Sequence, residues 1–141
     1  MNILKVLTAN RATGNLGEDA AARHLKKNGY RILERNFVAE NSEIDIIARK
    51  KDVLVFVEVK ARNIKYLGYK EARPASSVTP EKQRKIIKVA NRYIGYDKSG
   101  LRKRFDVIEV YLDSSSGKNK IKEIRHLENT FDLNTAYKSY Y

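Results

Sequence analysis

The sequence predicts an α/β domain, a mixed β-sheet with helices packed on it, and three observations carry that reading. A helical period near the N-terminus is followed by three strand-like runs joined by short turns, the pattern of an antiparallel meander. A strong helix signal comes next, long enough to return a later strand in parallel. The run from Val53 to Arg62 is apolar on both faces, as a strand in the interior of a sheet must be. The predicted order is α-β-β-β-α-β-β.

Each element has its own local reason. Asn10 to Asn28 reads as a helix because Leu16, Ala20 and Leu25 fall near one face and Gly29 supplies a stop. Tyr30 to Val38 alternates loosely, as a strand does. Glu40-Asn41-Ser42 is a hairpin turn, since asparagine tolerates the left-handed conformation. Glu43 to Arg49 is the second strand, Lys50-Lys51-Asp52 the next turn, and Val53 to Arg62 the third strand. Asn63 to Ser77 reads as a long exposed loop containing Gly68 and Pro74. Thr79-Pro80 then opens a helix, a capping hydroxyl before proline at the first helical position. This helix runs to about Tyr93 or Ile94, with Ile86, Ile87, Ala90 and Ile94 as its buried stripe. Arg104 to Asp113 and Ile121 to Leu127 are the last two strands, separated by a polar turn.

A length of 141 residues fits one domain, with a core over about residues 10–131. The tail 132–141 is read as disordered or as packing on a partner. Cysteine is absent and there are two histidines, His24 and His126, so a bound metal would be held mainly by oxygen, as Mg²⁺ or Mn²⁺ prefer. No apolar run approaches the ~18 residues of a membrane span, and Met1 to Leu7 makes a poor signal peptide. The expectation is a soluble, cytoplasmic protein with no membrane partner. The net charge is +12, and Lys60 to Arg104 holds fourteen basic residues against three acids. That clustering favours a polyanionic partner such as nucleic acid over a merely solvated basic surface.

The most informative segment is Ser42-Glu43-Ile44-Asp45, followed by Glu58-Val59-Lys60 at the end of the apolar strand. Residues two apart in a strand share a face, so Glu58 and Lys60 project together. A short hairpin can bring Asp45 opposite them. Charges at the end of a core strand are costly unless paired or bound to a cation. Asp45 and Glu58 suit a hard divalent ion, and Lys60 suits a developing phosphate charge or an attacking water. The plain alternative is a cross-strand ion pair, worth about 1 kcal/mol or less when exposed.

The sequence resembles the YraN family of small bacterial proteins in the restriction-endonuclease-like nuclease superfamily, related in pattern to archaeal Holliday-junction resolvases. The resemblance spans roughly Gly14 to Phe131. It rests on Gly14-x-x-Gly17-Glu18, Gly29-Tyr30, Glu43-Ile44-Asp45-Ile46-Ile47, Val55-Phe56-Val57-Glu58-Val59-Lys60-x-Arg62, Lys82-Gln83 and Arg104-Phe105-Asp106-Val107. It implies a restriction-endonuclease-like core and a metal-dependent nuclease acting on DNA, with branched or junction DNA as a candidate substrate. It also implies that Asp45, Glu58 and Lys60 are catalytic, with Glu18 reaching the metal from the first helix. A homodimer is expected by analogy with junction resolvases. Ser42 departs from the family, which usually has glycine there. RNA stays open as an alternative ligand, and a non-catalytic nucleic-acid-binding module is the alternative function.

Other residues have two readings each. Glu18 either assists the metal or complements the helix dipole. Glu43, two residues before Asp45, either lies around the metal or covers the start of its strand. Gln83 holds a water or phosphate, or simply faces solvent. Arg62, Lys65, Tyr66, Lys70 and Arg73 mix cations with aromatics after the catalytic strand, which suits phosphate contact and base stacking. Lys82 and Arg84 extend that candidate surface, with Arg62 its foremost phosphate contact. His24 and His126 read as surface or packing residues, and Asp106 as a partner of Arg104.

Overall fold

Helix α1 spans Ile3–Lys27, beginning earlier than the apolar stripe alone predicts. Neither proline nor glycine interrupts the chain before Gly14, so nothing stops the helix from extending towards the N-terminus. It ends as expected: Gly29 takes φ +88°, its N–H bonds to the Lys26 carbonyl at 3.1 Å, and the Tyr30 N–H bonds to that of Leu25 at 2.9 Å. The computed structural model describes residues 3–64 and 78–133, with the side chains of α1 from Thr13 onward. The predicted contacts Lys65, Tyr66, Lys70 and Arg73, and the C-terminal tail beyond Leu133, lie outside the described residues.

The strands are β1 (Arg31–Ala39), β2 (Ser42–Lys50), β3 (Val53–Asn63), β4 (Arg102–Asp113) and β5 (Lys120–Phe131), with helix α2 (Pro80–Tyr96) between β3 and β4. They form one sheet in the order β1-β2-β3-β4-β5. The first three make the expected meander, and β4 joins β3 in parallel after the helical crossover. The predicted mixed sheet and element order are borne out. The first turn tightens to two residues, because Ala39 pairs with Ser42 while Glu40 and Asn41 take φ +53° and +57°. Both central residues left-handed is the geometry whose twist matches flanking strands. Ser42 therefore begins β2, and a glycine is not needed there.

Each face of the sheet carries one core. Against α1 lie Ile46, Ala48, Val55, Val57, Ile108 and Val110 with Ala20, Ala21 and Leu25. Against α2 lie Ile44, Ile47, Leu54, Phe56, Phe105 and Val107 with Ile86, Ile87, Val89 and Ala90. Ile94, predicted in this stripe, packs against it only partly buried, and Val89 joins the buried set. Thr79 caps α2, its hydroxyl accepting the Lys82 N–H at 3.2 Å, with Pro80 in the first turn.

Strand β5 runs past its predicted end at Leu127. Phe105 pairs with Phe131 whereas Val107 pairs with Leu127, and Asn129 sits at φ +54°, so a bulge interrupts the alternation. That bulge hides the strand's end in the sequence. Stacking of Phe131 on Phe105 (4.8 Å between centroids) fixes it in the structure.

Candidate active site

The site begins with a break in strand parity. Ile44 and Ile46 are two residues apart, yet one packs on the α2 side and the other on the α1 side. The neighbouring strand does the same. Arg35 reaches Asp19 of α1 at 2.8 Å, while Phe37 meets Tyr93 of α2 edge-to-face at 5.2 Å. Asn36, between them, has φ +53°. A joint kink therefore turns both strands at Asn36 and Asp45.

At the same point β2 and β3 part. Their ladder stops at Ile46–Val57, and the Asp45 carboxylate enters the gap to accept the Val59 N–H at 2.7 Å. The aspartate thus takes a donor that a regular ladder would give to backbone, which fixes its position. Glu58 is held beside it by the buried end of β3, 8% exposed, and the two carboxyl groups lie close enough to shift each other's protonation. Burial and then the neighbouring Asp45 push the Glu58 carboxyl up to about 7. Burial also raises Asp45, against the opposing effect of the Val59 N–H. Two adjacent carboxyls with raised pKa values favour sharing a proton over two full charges.

Two ammonium groups flank the pair. Lys60 Nζ and Lys82 Nζ each lie 3.8 Å from Glu58 Oε1. Lys60 shares a face with Glu58, as strand parity predicts. Lys82 arrives from the first turn of α2, and sequence reasoning placed it only among nucleic-acid contacts. Its neighbour Gln83 is turned inward rather than to solvent: Nε2 donates to the Val78 carbonyl at 2.8 Å and Oε1 is buried without a partner. Arg84 is half-buried and stands about 200° round the helix from Lys82, away from the acids.

Glu18 approaches from the other side. Gly17 lets it do so, because a Cβ at Gly17 would come within 2.4 Å of the Ala61 Cβ on β3. Burial first and the Asp45 carboxylate second raise the Glu18 carboxyl, and its Oε1 is buried without a hydrogen bond. Glu43 is exposed but near enough to raise both Asp45 and Glu18. Arg62 lies on the face of Glu58 and Lys60, with its guanidinium donating to the Ala61 carbonyl at 2.8 Å.

One further acid was not singled out from sequence. Glu109 is paired in register with Lys60 and is 1% exposed. Tyr111 donates its hydroxyl to Glu109 Oε2 at 2.6 Å, and Arg125 lies 3.8 Å from the same atom. Burial and then that glutamate push the Tyr111 hydroxyl up to about 12. An acid in the middle of an apolar β4 run was the available signal.

Asp45, Glu58, Lys60 and Lys82 thus come together, with Glu18 and Glu43 at the margin. The donor set suits a hard divalent cation, which takes one or two carboxylates and completes its shell with water or phosphate oxygens. Among the described residues, no group of three acidic or imidazole side chains is preassembled to enclose an ion unaided. Among the same residues, no helix is long and apolar enough to cross a membrane.

Fold and site define a small α/β domain, a mixed five-stranded sheet carrying a close acid pair, with two lysines beside its buried glutamate, where the sheet opens. Residues 17–110 match the profile of Uncharacterised protein family UPF0102, a span that includes Glu18, Asp45, Glu58, Lys60 and Lys82. A UPF0102 protein of Clostridium beijerinckii is 45% identical over 126 residues, 89% of this chain and 97% of that one. Relatives of the same name in Acetivibrio thermocellus and Chloroherpeton thalassium are 43% and 40% identical, covering 86% and 94% of this chain and 92% and 98% of theirs. The chain belongs to the UPF0102 family, the YraN family identified from its motifs.

Proposed function

We propose that this protein is a metal-dependent nuclease that hydrolyses phosphodiester bonds in DNA, with branched DNA as the first substrate to test. The observation that carries the reading is the Asp45–Glu58 pair, a half-buried and a buried carboxyl held side by side at the cost of raised pKa values. Such an arrangement weakens the fold unless something cationic uses it. Asp45 and Glu58 would hold Mg²⁺ or Mn²⁺, with Glu18 reaching it through its free oxygen. When bound, the ion supplies Lewis-acid activation of water and neutralises charge on the phosphate.

The chain's own groups do the rest. The Val59 N–H orients Asp45. Lys60 offers an ammonium on the face where a scissile phosphate would develop charge, and it stabilises that charge or orients the attacking water. Lys82, half-exposed at the helix start, binds a phosphate oxygen once Glu58 turns to a cation. Gln83 Oε1 accepts a hydrogen bond from a water there. The basic residues of α2 supply sequence-independent affinity for the backbone. A dimer acting on two-fold symmetric junctions belongs to the same reading, and sedimentation velocity with junction DNA tests it.

The decisive test is cleavage of flapped, forked and four-way DNA in Mg²⁺ or Mn²⁺ by wild type, Asp45→Asn and Lys60→Ala. Metal-dependent cutting lost by at least a hundredfold in both variants, with DNA affinity retained, is expected. Cutting that survives Asp45→Asn, or no cutting of any form by wild type, sinks the nuclease reading and leaves a nucleic-acid-binding module.

A further inference from the structure

Away from the acids, the α2 side of the sheet carries a groove that the site does not use. Its walls are the β1–β2 hairpin and the C-terminal half of α2, and it encloses about 570 Å³. Val38 and Asn41 line one wall, with Arg92 and Tyr96 on the other; Lys88 and Arg92 continue it beside Glu40. Tyr96 is 68% exposed and Val38 67%, large apolar surface for the rim of a small protein. Lys88 and Arg92 form no ion pair with a described acid, whereas Lys82 and Lys85 are paired with Glu58 and Glu81. Among the described residues, Glu40 is the single carboxylate in the lining.

Spacing gives the groove a direction. Lys82, Lys85, Lys88, Arg92 and Tyr96 follow one another at three- and four-residue steps, so they share one side of the helix. The row starts at the Asp45–Glu58 pair and ends at the exposed tyrosine, about 21 Å away at ~1.5 Å per residue. That length matches about six stacked nucleotides at ~3.4 Å each. Cations along a row with an exposed aromatic at its far end fit a backbone with one unpaired base on the ring. A blunt duplex offers a free base face only at its two ends.

We infer that the groove between α2 and the β1–β2 hairpin binds a single-stranded nucleic-acid segment leading away from the acid pair, with Lys88 and Arg92 on its phosphates and Tyr96 stacked on a base. This deepens the nuclease reading and rests on it for the role of the bound strand, although the binding itself is measured without catalysis. It makes the preferred substrate one with a single-stranded flank.

The test is fluorescence anisotropy in the presence of a chelator, with a labelled oligothymidylate of about twelve nucleotides and a blunt duplex of equal length. Tyr96→Ala should weaken oligothymidylate binding about tenfold while changing duplex binding less than twofold. Arg92→Ala should weaken it several-fold and lower the slope of log K against log salt by roughly 0.7. Unchanged oligothymidylate affinity in Tyr96→Ala, or an equal loss on duplex, overturns the inference. So does tight binding of a polyglutamate peptide lost in the same variant, which would make the groove a protein-docking site. The two readings fail separately. Groove variants that lose single-strand binding in a wild type that never cleaves leave the groove and sink the nuclease. Metal-dependent cleavage with single-strand binding unchanged in the variants does the reverse.

Discussion

Two aspartates in this sheet, Asp106 buried and Asp45 half-buried, have opposite fates, and the contrast separates a satisfied network from an unsatisfied one. Asp106, on β4, is 1% exposed yet its carboxyl is held below the ordinary range. Burial alone would raise it, but His126 at 2.7 Å, two bonds from Arg104 at 2.9 and 2.8 Å, and the Asn129 N–H at 3.0 Å outweigh that. Tyr30 completes the group by accepting from Arg104 and lying under its guanidinium. Asp45 has one backbone donor and an acid for a neighbour, and its carboxyl is raised. A network in which every oxygen is met holds a fold together. One in which acids face acids, with Glu18 and Gln83 oxygens left unmet, is the kind of arrangement on which the proposed cation site rests.

The largest test breaks the satisfied cluster. Asp106→Ala leaves Arg104 half-buried without its carboxylate and should cost about 3–5 kcal/mol in urea denaturation. Because the Asp106 carboxyl is depressed, its stabilisation is present above its ordinary 3.8 and fades as pH falls through the folded value, so wild type should lose stability at the acid end. A loss below 1 kcal/mol would mean that the two clusters do not differ as described.

Glu58→Gln should do the opposite. The folded protein keeps the Glu58 proton between its ordinary 4.5 and about 7, where the unfolded chain releases it. Stability therefore falls as pH rises through that window and is flat above it. The variant should lack that slope and be more stable than wild type at pH 8 by on the order of 2 kcal/mol. A variant less stable than wild type at pH 8 would show the acid pair to be structural after all.

Tyr30→Phe is a smaller probe of the satisfied side. It removes one acceptor from Arg104 and keeps the ring, so a loss of about 1 kcal/mol is expected by thermal melting. Asp52→Asn calibrates the scale. The Arg102–Asp52 pair, at 3.2 Å, is exposed at both side chains, and its removal should move the melting temperature by no more than replicate scatter.

Much of this architecture was legible because its causes are local. The β-branched run at Val53–Val59, the Thr79-Pro80 cap and the turn lengths lead to the meander and the crossover without reference to distant residues. Asp45, Glu58 and Lys60 were legible because charges are rare at the end of an apolar strand, and motif resemblance pointed to the same residues. What escaped is non-local. The rule that residues two apart share a face fails at Asn36 and Asp45, where the kink depends on β1, β2 and β3 meeting at once. Lys82 reads as a surface cation until the fold carries the start of α2 over Glu58. Glu109 lies on a strand whose partner is set only by the crossover.

The contact between Gly17 and Ala61 has a mechanical consequence. Where a helix touches a sheet backbone to side chain with no atom to spare, the separation of the two layers is set at that point, and Ala20, Ala21 and Leu25 carry the same contact along the helix. Glu18 sits one residue on, so its reach towards Asp45 is measured from the closest approach of helix and sheet. A larger residue at position 17 would therefore lift the acid together with the helix.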